Sequence, residues 1–455
     1  MHRFHWIMIG AAAGAALVFV TVSPPLAPLI NIAIASPSTA AASTYRELEL
    51  FGKVFDTVRQ DYVDKPDSTK LIQSAITGMV SSLDPHSSYM NAQAYQEMQV
   101  ETTGEFGGLG MQITKENNVV KVVSPIDDTP ASKAGILSGD IITQINGKAI
   151  EDLPLDSVVD KLRGEPGSKV TLAIQRANAT RPVILTLTRE IIKTRPVSVR
   201  DEGGDVGYIR ITEFNEQATD ELKNAIKKLQ AKIPADRMKG YILDLRNNPG
   251  GLLDQAIGVV NTFVSRGEIV STRSRDPNED DRFFAKPKLG DLTNGKPLIV
   301  LINGGSASAS EIVAGALQDQ KRATILGTRS FGKGSVQTII PLGSDNGALR
   351  LTTARYYTPS GRSIQAQGIT PDIQVVQQVP KNLQANQVEV SEASLPGHFR
   401  AQGKEEKGSQ SYVPAKPQDD AALQTALALL RGTETNLAFP PRSEQEMAPQ
   451  VRGKP

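Results

Sequence analysis

A strand, a turn of small residues and a helix follow one another in the second half of the chain. Residues 297–302 form a continuous apolar run typical of a buried strand, and apolar residues return at helical spacing from Glu311 onward. The turn between them reads Asn303-Gly304-Gly305-Ser306-Ala307-Ser308-Ala309-Ser310. A strand that leads directly into a helix is the repeating unit of α/β proteins. Upstream, a strand pattern at 206–211, a helical pattern at 222–229 and a strand pattern at 241–245 also alternate, and this alternation predicts a core with helices packed on a sheet.

Three residues of this turn are serines, and their position suits catalysis. The first turn of a helix has unpaired backbone N–H groups and the positive end of the helix dipole, both of which stabilise a developing oxyanion. The spacing alone leaves open which of Ser306, Ser308 and Ser310 would react. A structural interpretation of Ser308 stands beside the catalytic one, because Ser308-x-x-Glu311 is also a capping box.

A lysine is the candidate base for a reactive serine. The chain has 4 histidines, and we assign structural roles to His86 and His398, the two that lie beyond the N-terminal leader. A lysine can take a proton if burial or a neighbouring charge lowers its pKa. Lys333 lies between two glycines, just before the strand pattern at 335–340. Gln337 would project from the same face as Lys333, where its amide could hold the amine in position.

These segments resemble the carboxyl-terminal processing proteases, also called tail-specific proteases. Six stretches carry the resemblance, within roughly residues 45–375: 83–89, 104–110, 241–251, 305–319, 332–337 and 361–372. The resemblance implies that Ser308 is the nucleophile, Lys333 is the base and Gln337 orients the base.

Glycines supply the candidate oxyanion donors. The apolar strand pattern at 241–245 ends in a turn that contains Gly250 and Gly251, where backbone N–H groups can approach a ligand closely. Either glycine could supply one donor, and the resemblance implies that the N–H of Ala309 supplies the other. Three charged residues could support the site from behind or could equally form ordinary structural ion pairs: Asp244, Arg246 and Glu311.

Residues 98–187 are predicted to form a separate peptide-binding domain. Their glycine-rich start resembles the carboxylate-binding loop and following strand of a PDZ domain, in which backbone N–H groups capture a free C-terminus. The residues assigned to this role are Gly108, Leu109, Gly110 and Met111. A helical stripe at Leu155, Val158, Val159 and Leu162 is interpreted mainly as core, beside the peptide groove. Arg163 resembles a family arginine that couples the PDZ domain to the catalytic site, although a surface arginine beside a turn needs no function.

The N-terminus predicts export. A short basic start precedes 16 mostly apolar residues at 7–22, a length that suits a signal peptide better than a full membrane span of about 20 residues. A second apolar stretch at 26–35 leaves an uncleaved membrane anchor as the alternative. We therefore expect a periplasmic or cell-envelope protein with five regions: 1–42 signal peptide or anchor, 43–97 helical segment, 98–187 PDZ domain, 188–375 protease core, and 376–455 largely flexible tail with a helix at 419–430.

The predicted fold is an α/β (α+β) serine protease core with helices packed on a sheet, an inserted, mainly β PDZ domain and an N-terminal helical arm. The absence of cysteine excludes disulfides and thiol chemistry. A net charge of +1 without a long basic run argues against nucleic-acid binding. No metal-binding motif is present, so we expect no metal and no other cofactor.

The predicted function is that of an exported serine endopeptidase, which recognises the free C-terminal tails of protein substrates and cleaves upstream peptide bonds. The alternative is an exported PDZ scaffold or chaperone with latent or no proteolytic activity. An esterase or amidase acting on cell-wall material is a weaker alternative, because the Gly-x-Ser-x-Gly motif is missing. The sequence leaves open an adaptor or activator protein, a membrane tether through the N-terminus and a homo-oligomer.

Overall fold

The computed structural model describes residues 39–116, 119–126, 128–176, 181–287, 290–343, 345–381 and 389–441. The chain divides into two compact units, Met1–Leu71 and Ile72–Pro455. The leader predicted at 1–42 lies almost wholly outside the described residues. Within the described ranges, no helix has both the length and the apolar character needed to cross a bilayer.

Helices dominate the N-terminal part of the described chain. The first unit contains α1 (Thr39–Asp61) and the beginning of α2 (Ser68–Ser81). The Asp67 carboxylate accepts hydrogen bonds from the N–H groups of Thr69 and Lys70, which fixes the start of α2. The second unit continues with β1 (Ser88–Met90) and α3 (Ala92–Thr103).

An antiparallel sheet forms the middle of the chain. Strand β2 (Glu105–Gly108) precedes this sheet and belongs to a separate two-stranded ribbon. The strands of the sheet, in chain order, are β3 (Met111–Glu116), β4 (Val119–Pro125), β5 (Ile141–Ile145), β6 (Lys148–Ala149), β7 (Lys169–Gln175) and β8 (Val183–Thr188). Two helices accompany them, α4 (Pro130–Lys133) and α5 (Leu155–Leu162). Val158 and Leu162 of α5 are buried in one apolar cluster with Val122 and Leu172 of the sheet. Val159 is only partly buried and borders a groove.

The two ends of this middle region meet. Strand β2 pairs antiparallel with β9 (Glu190–Lys193), and Phe106 lies opposite Ile192. The chain therefore enters and leaves the antiparallel sheet at one place, which is the arrangement expected of an inserted domain.

A six-stranded sheet organises the rest of the second unit. Its order is β10 (Val197–Glu202), β11 (Val206–Ile211), β12 (Gly240–Asp244), β15 (Leu298–Ile302), β16 (Thr324–Gly327) and β19 (Ile373–Gln374). All neighbours are parallel except β10 with β11. One face packs on α6 (Ala218–Lys232), α7 (Leu253–Asn261) and α8 (Ala309–Asp319). Alternate residues of β12 and β15 lie on opposite faces of the sheet. Leu243 and Val300 belong to the apolar cluster with these three helices, whereas Ile242 and Leu301 belong to a second apolar cluster.

A second sheet borders the first. It contains β13 (Glu268–Ser274), β14 (Arg282–Phe284), β17 (Ser335–Pro341) and β18 (Ala348–Tyr357), and β1 pairs with β18. The pairing of β17 with β18 has a register irregularity between Val336 and Gln337. Because β17 follows Lys333 directly, this sheet positions the predicted base.

The C-terminal region corrects one prediction. We expected a largely flexible tail after residue 375, but a C-terminal helix packs on the six-stranded sheet, and residues before it are hydrogen-bonded to loops of the second unit. The helix predicted at 419–430 runs from Ala421 to Arg431 (α9), and its Leu423 and Ala426 share a cluster with Ile299 of β15. Strands apolar on both faces need cover on both sides, and α9 covers the second face. The residues around α9 are mostly polar, so the sequence did not indicate that this region would cover the second face of the sheet.

Candidate active site

The three candidate serines have different surroundings. Ser306 Oγ donates a hydrogen bond to the carbonyl of Leu245 at 2.8 Å, and Ser310 Oγ donates to the carbonyl of Asn248 at 2.9 Å. Both serines are fully buried. Ser308 is 9% exposed and lines a cleft of about 610 Å³. The hydroxyls of Ser306 and Ser310 therefore stabilise the turn through hydrogen bonds to backbone carbonyls, whereas Ser308 lines the cleft.

The backbone at Ser308 is unusual. This residue precedes the first residue of α8 and has φ +53° and ψ −113°. A non-glycine residue in this region is strained by about 1–3 kcal/mol, and such strain persists only where surrounding contacts hold it. The Ser308 N–H donates to Glu311 Oε2 at 2.8 Å, so the glutamate half of the predicted capping box is present.

Glu311 connects the serine turn to the lysine loop. Its carboxylate is fully buried and accepts from Ser308 N–H, Ser330 Oγ, Gly332 N–H at 2.7 Å and Lys333 N–H at 2.9 Å. Burial raises the pKa of Glu311 to about 7, and these four hydrogen bonds act in the opposite direction. One side chain thus holds the backbones of Ser308 and Lys333 in a fixed relation.

Lys333 is mostly buried beside the same cleft. Burial is the main cause that lowers the pKa of its amine, and the positive charge of Arg350 lowers it further. The carboxylates of Glu392, Glu311 and Asp84 oppose this shift. A lysine with a lowered pKa is the form that general-base chemistry requires.

Gln337 lines the cleft together with Ser308 and Lys333. Its amide donates to Ser335 Oγ at 2.9 Å and to Thr352 Oγ1 at 3.3 Å. Neither of these bonds involves the Lys333 amine. The predicted orienting role of Gln337 therefore stays a prediction.

The glycine turn after β12 approaches the serine closely. A Cβ atom on Gly250 would lie 2.8 Å from Ser308 Cβ and 3.0 Å from the Ala309 nitrogen, so only glycine fits there. The Gly250 N–H already donates to Asn248 Oδ1 at 2.9 Å. Within the described part of the chain, the N–H groups of Ala309 and Gly251 have no protein acceptor. Ala309 and Gly251 are thus better placed than Gly250 to bind an oxyanion.

Asp244 and Arg246 form a structural ion-pair network. Arg246 donates to both oxygens of Asp244 and to both oxygens of Asp420, the residue that precedes α9. Tyr208 also donates to Asp244, at 2.6 Å. None of these bonds reaches Ser308 or Lys333. Of the three charged residues expected behind the site, only Glu311 contacts it, and the other two anchor the C-terminal helix.

The residues predicted to bind a carboxylate border a second cavity. Gly108, Leu109, Gly110 and Met111 line a groove of about 390 Å³ together with Val159 and Leu162 of α5. Among the described residues, no acceptor is found for the N–H groups of Leu109 and Gly110. These unpaired donors lie at one end of an apolar groove, the arrangement that captures a terminal carboxylate.

Arg163 lies between the groove and the cleft. Its guanidinium stacks on the Phe106 ring with 4.8 Å to the centroid. A third pocket, of about 610 Å³, shares Phe106, Val159 and Arg163 with the groove, and shares Glu101 and Arg350 with the cleft. The third pocket therefore neighbours both the groove and the cleft.

Sequence reasoning missed several polar residues near Lys333. The cluster consists of Asp84, Arg350, Thr352, Gln365 and Glu392. Asp84 and Gln365 lie in stretches that carry the family resemblance, so that signal was available for them. Glu392 lies in the tail expected to be flexible, where no pattern marked it. In the ranges that the structure describes, no three His, Asp or Glu side chains converge in a way that could hold a metal ion.

Comparisons with known proteins identify the family. Residues 205–375 match the family model of peptidase family S41, residues 107–187 match the PDZ domain, and residues 12–94 match the activating protease CtpB N-terminal domain. A carboxy-terminal-processing protease from Bartonella bacilliformis is 56% identical over 417 residues, which cover 91% of this chain and 95% of the relative. A probable CtpA-like serine protease from Staphylococcus aureus is 34% identical over 376 residues, covering 82% of this chain and 73% of the relative.

Among solved structures, a photosystem II D1 C-terminal processing protease is 32% identical, with a TM-score of 0.41, and the match covers 72% of this chain and 93% of that chain. The family resemblance, the predicted fold class and the predicted enzyme class are confirmed. The identity to the Bartonella relative extends along nearly the whole of both chains. The chain belongs to the carboxy-terminal-processing proteases of peptidase family S41, which are serine peptidases.

Proposed function

We propose that this protease cleaves peptide bonds with Ser308 as nucleophile and Lys333 as general base. The observation that carries the proposal is the Glu311 carboxylate, which binds the backbone N–H of both residues at the edge of one cleft. Because one carboxylate binds both backbones, Ser308 and Lys333 are held in a fixed relative position. Such positioning of reacting groups contributes a large part of an enzyme's rate acceleration.

The reaction begins with proton transfer from Ser308 Oγ to the neutral Lys333 amine. The oxygen then attacks the substrate carbonyl, and the N–H groups of Ala309 and Gly251 stabilise the oxyanion that forms. The resulting ammonium returns the proton to the departing amine. Water then attacks the acyl-enzyme with Lys333 again as base, which releases the acid product and restores Ser308. Gln337, at the wall of the cleft, is proposed to orient the amine.

Substrate selection is assigned to the groove beside β3. The free carboxylate of a substrate would bind the N–H groups of Leu109 and Gly110, and the last residues would extend the sheet alongside β3 (Met111–Glu116). The third pocket, which Arg163 lines, would accommodate the upstream chain on its way to Ser308. Binding of an apolar C-terminal side chain is supported by Ile113, Val159 and Leu162 in the groove lining.

The wider organisation is proposed from the same features. The division into a PDZ domain at 98–187 and a protease core at 188–375 is supported by family matches to 107–187 and 205–375. Export to the periplasm or cell envelope rests on the apolar N-terminal pattern.

The test is cleavage of an unfolded protein that ends either in a free apolar C-terminus or in the same end amidated. The parent enzyme is compared with Ser308→Ala and Lys333→Ala, and mass spectrometry follows the products. We expect cleavage by the parent, weaker cleavage of the amidated protein, and no cleavage by either variant. Ser306→Ala and Ser310→Ala are the matched controls, because their hydroxyls bind backbone carbonyls, and both should retain activity.

Two results would contradict the proposal. Activity in Lys333→Ala would exclude the lysine as base, and activity in Ser308→Ala would exclude that serine. If the parent binds the free tail without cleaving it, the protein acts as a scaffold or chaperone under those conditions.

A further inference from the structure

A buried carboxylate from the C-terminal region lies behind the lysine loop. Glu392 begins a short 3-10 helix, Glu392–Ser394, and is fully buried. Its Oε1 accepts from Gln365 Nε2 at 2.9 Å, and its Oε2 is 2.8 Å from His86 Nε2. A buried carboxylate with defined partners on both oxygens is held in one orientation.

The first of these contacts leads to the loop that carries Lys333. Gln365 Oε1 accepts from the Gly334 N–H at 3.0 Å, directly after the lysine. The Glu392 N–H donates to the Phe331 carbonyl at 3.1 Å, two residues before the lysine. Glu392 and Gln365 therefore hold the loop at both ends.

The second contact leads to the strand that carries Gln337. His86, which binds Glu392, also donates its backbone N–H to Asp84 Oδ1 at 2.8 Å. Thr352 Oγ1 donates to the same oxygen at 3.1 Å, and it accepts from Gln337 Nε2. The network that starts at Glu392 thus reaches the loop that carries the proposed base and also the side chain of Gln337.

We propose that Glu392 is a positioning residue for catalysis: through Gln365 and His86 it fixes the Phe331–Gly334 loop and the Lys333 amine within the active-site cleft. The inference rests on the proposed function, in which Lys333 is the base. It gives the C-terminal region a direct part in building the active site, in addition to covering the sheet.

The charge of Glu392 gives this role a distinctive signature. Its negative charge favours the protonated form of Lys333, as do Glu311 and Asp84, whereas burial and Arg350 favour the neutral form. On the other side, His86 contacts Glu392 and His398 lies within its electrostatic reach. Removing the charge of Glu392 should therefore lower the pKa of the Lys333 amine. A residue that only stabilises the fold would not have this effect.

The experiment compares kcat and KM across pH for the parent, Glu392→Gln and Gln365→Leu. We expect kcat of Glu392→Gln to fall about tenfold with little change in KM, and the acidic limb of its pH profile to move down by about half a unit. Gln365→Leu leaves the Gly334 N–H without its acceptor but keeps the charge. It should lower kcat without moving the limb.

Glu406→Gln is the matched control. It removes a carboxylate from the same region, but that carboxylate pairs with Arg329 and is partly exposed. Its profile should match that of the parent. Thermal unfolding of every variant shows whether the fold survives, and comparison is made only below the lowest Tm.

The possible results separate this inference from the proposed function. If Lys333→Ala is inactive and Glu392→Gln has an unchanged kcat, or a lowered kcat with an unmoved acidic limb, the inference about Glu392 is wrong while the proposed base stands. If Lys333→Ala cleaves substrate, the proposed base is wrong and the positioning role falls with it. A lowered kcat together with a shifted limb supports both.

Discussion

At Glu311, one carboxylate serves both halves of the active site. The capping-box pattern predicted the hydrogen bond from the Ser308 N–H to the Glu311 carboxylate, but not those from the N–H groups of Gly332 and Lys333. Burial raises the pKa of this group to about 7, so holding it ionised costs free energy. Strain and unfavourable burial of this kind are typical of functional sites.

Replacing Glu311 with glutamine should lower kcat by at least about tenfold while KM changes little. Glutamine has one acceptor oxygen in place of two, and its NH₂ group would face N–H donors. Steady-state kinetics on the unfolded protein substrate measure the effect. Asp319→Asn, at the other end of α8, is the control and should retain the parent kcat. Unchanged kinetics in Glu311→Gln would remove Glu311 from the proposed mechanism.

The same residue predicts how stability depends on pH. Its pKa is raised from 4.5 to about 7 in the folded state, so the native protein binds this proton more tightly than the unfolded chain does. The stability that the proton contributes is present at about pH 4.5 and is lost as the pH rises through 7. The Tm of the parent, relative to Glu311→Gln, should therefore fall between about pH 5 and pH 8. A constant difference across this range would show that Glu311 has an ordinary pKa.

The close approach of Gly250 to Ser308 predicts that a larger residue at position 250 disturbs the candidate active site. Gly250→Ala would place a methyl group 2.8 Å from Ser308 Cβ, at a φ of +107°. We expect kcat to fall by at least about 100-fold, because a displacement of about 1 Å at reacting atoms has effects of that size. Gly361→Ala tests strain alone, since φ is +79° and nothing lies within 4 Å of the new methyl. Comparable activity losses in the two variants would argue against a specific role for Gly250.

At the scale of elements, α9 shows how a helix remote in sequence completes the core. It covers the sheet face opposite α6, α7 and α8. Asp420 attaches it in two ways: its carboxylate accepts from the Leu423 N–H, and it pairs with Arg246 at 2.8 Å. The start of α9 is therefore tied directly to the end of β12.

Asp420→Ala should destabilise the protein by about 3–5 kcal/mol, because it leaves Arg246 buried with only part of its charge compensated and removes a helix cap. Urea unfolding monitored by circular dichroism measures this change. Asp419→Ala is the control: that side chain is exposed, and its loss should change stability by less than about 0.5 kcal/mol. Equal effects of the two substitutions would mean that neither the ion pair nor the cap of Asp420 contributes measurably to stability.

At the scale of the whole second unit, a third pocket neighbours both the proposed peptide groove and the cleft that contains Ser308. Helix α3 lines that pocket, and Met98 and Glu101 extend into the lining of the cleft. In the proposed function, this pocket would separate the bound C-terminus from a cleavage point some residues upstream. The inserted position of the middle domain, held by β2 and β9, makes this geometry accessible to one chain.

Val159→Asp should raise KM about tenfold for the substrate with a free apolar tail, with kcat at saturation nearly unchanged. The new carboxylate would repel the substrate carboxylate and would disfavour apolar side chains in the groove. The amidated substrate should be affected much less. Ile184→Asp is the control, since Ile184 is 62% exposed on β8 and takes no part in the groove lining. An equal rise in KM for both substrates would contradict recognition of the free tail.

The sequence by itself determined the features that depend on neighbouring residues. Apolar periodicity located β15, α8 and α9 to within a few residues, since burial on one or two faces imposes those spacings. The small-residue turn and the Gly-Lys-Gly loop identified Ser308 and Lys333 as candidates, because each lies where the chain changes from one element to another. Combined with the family resemblance, this predicted the fold class and the enzyme class.

Tertiary structure alone decided which groups meet. Ser306 and Ser310 differ from Ser308 because the carbonyls of Leu245 and Asn248, in the segment that follows β12, accept their hydroxyl hydrogen bonds. Asp244 and Arg246, for which a role behind the site and a structural ion pair were equally open, pair with each other, and Arg246 also pairs with Asp420. Glu392 reaches the lysine loop from a region predicted to be flexible. These contacts join residues far apart in the chain. Local sequence patterns do not predict these contacts, because the contacts form and stabilise the protein only when the sheet brings distant segments of the chain together.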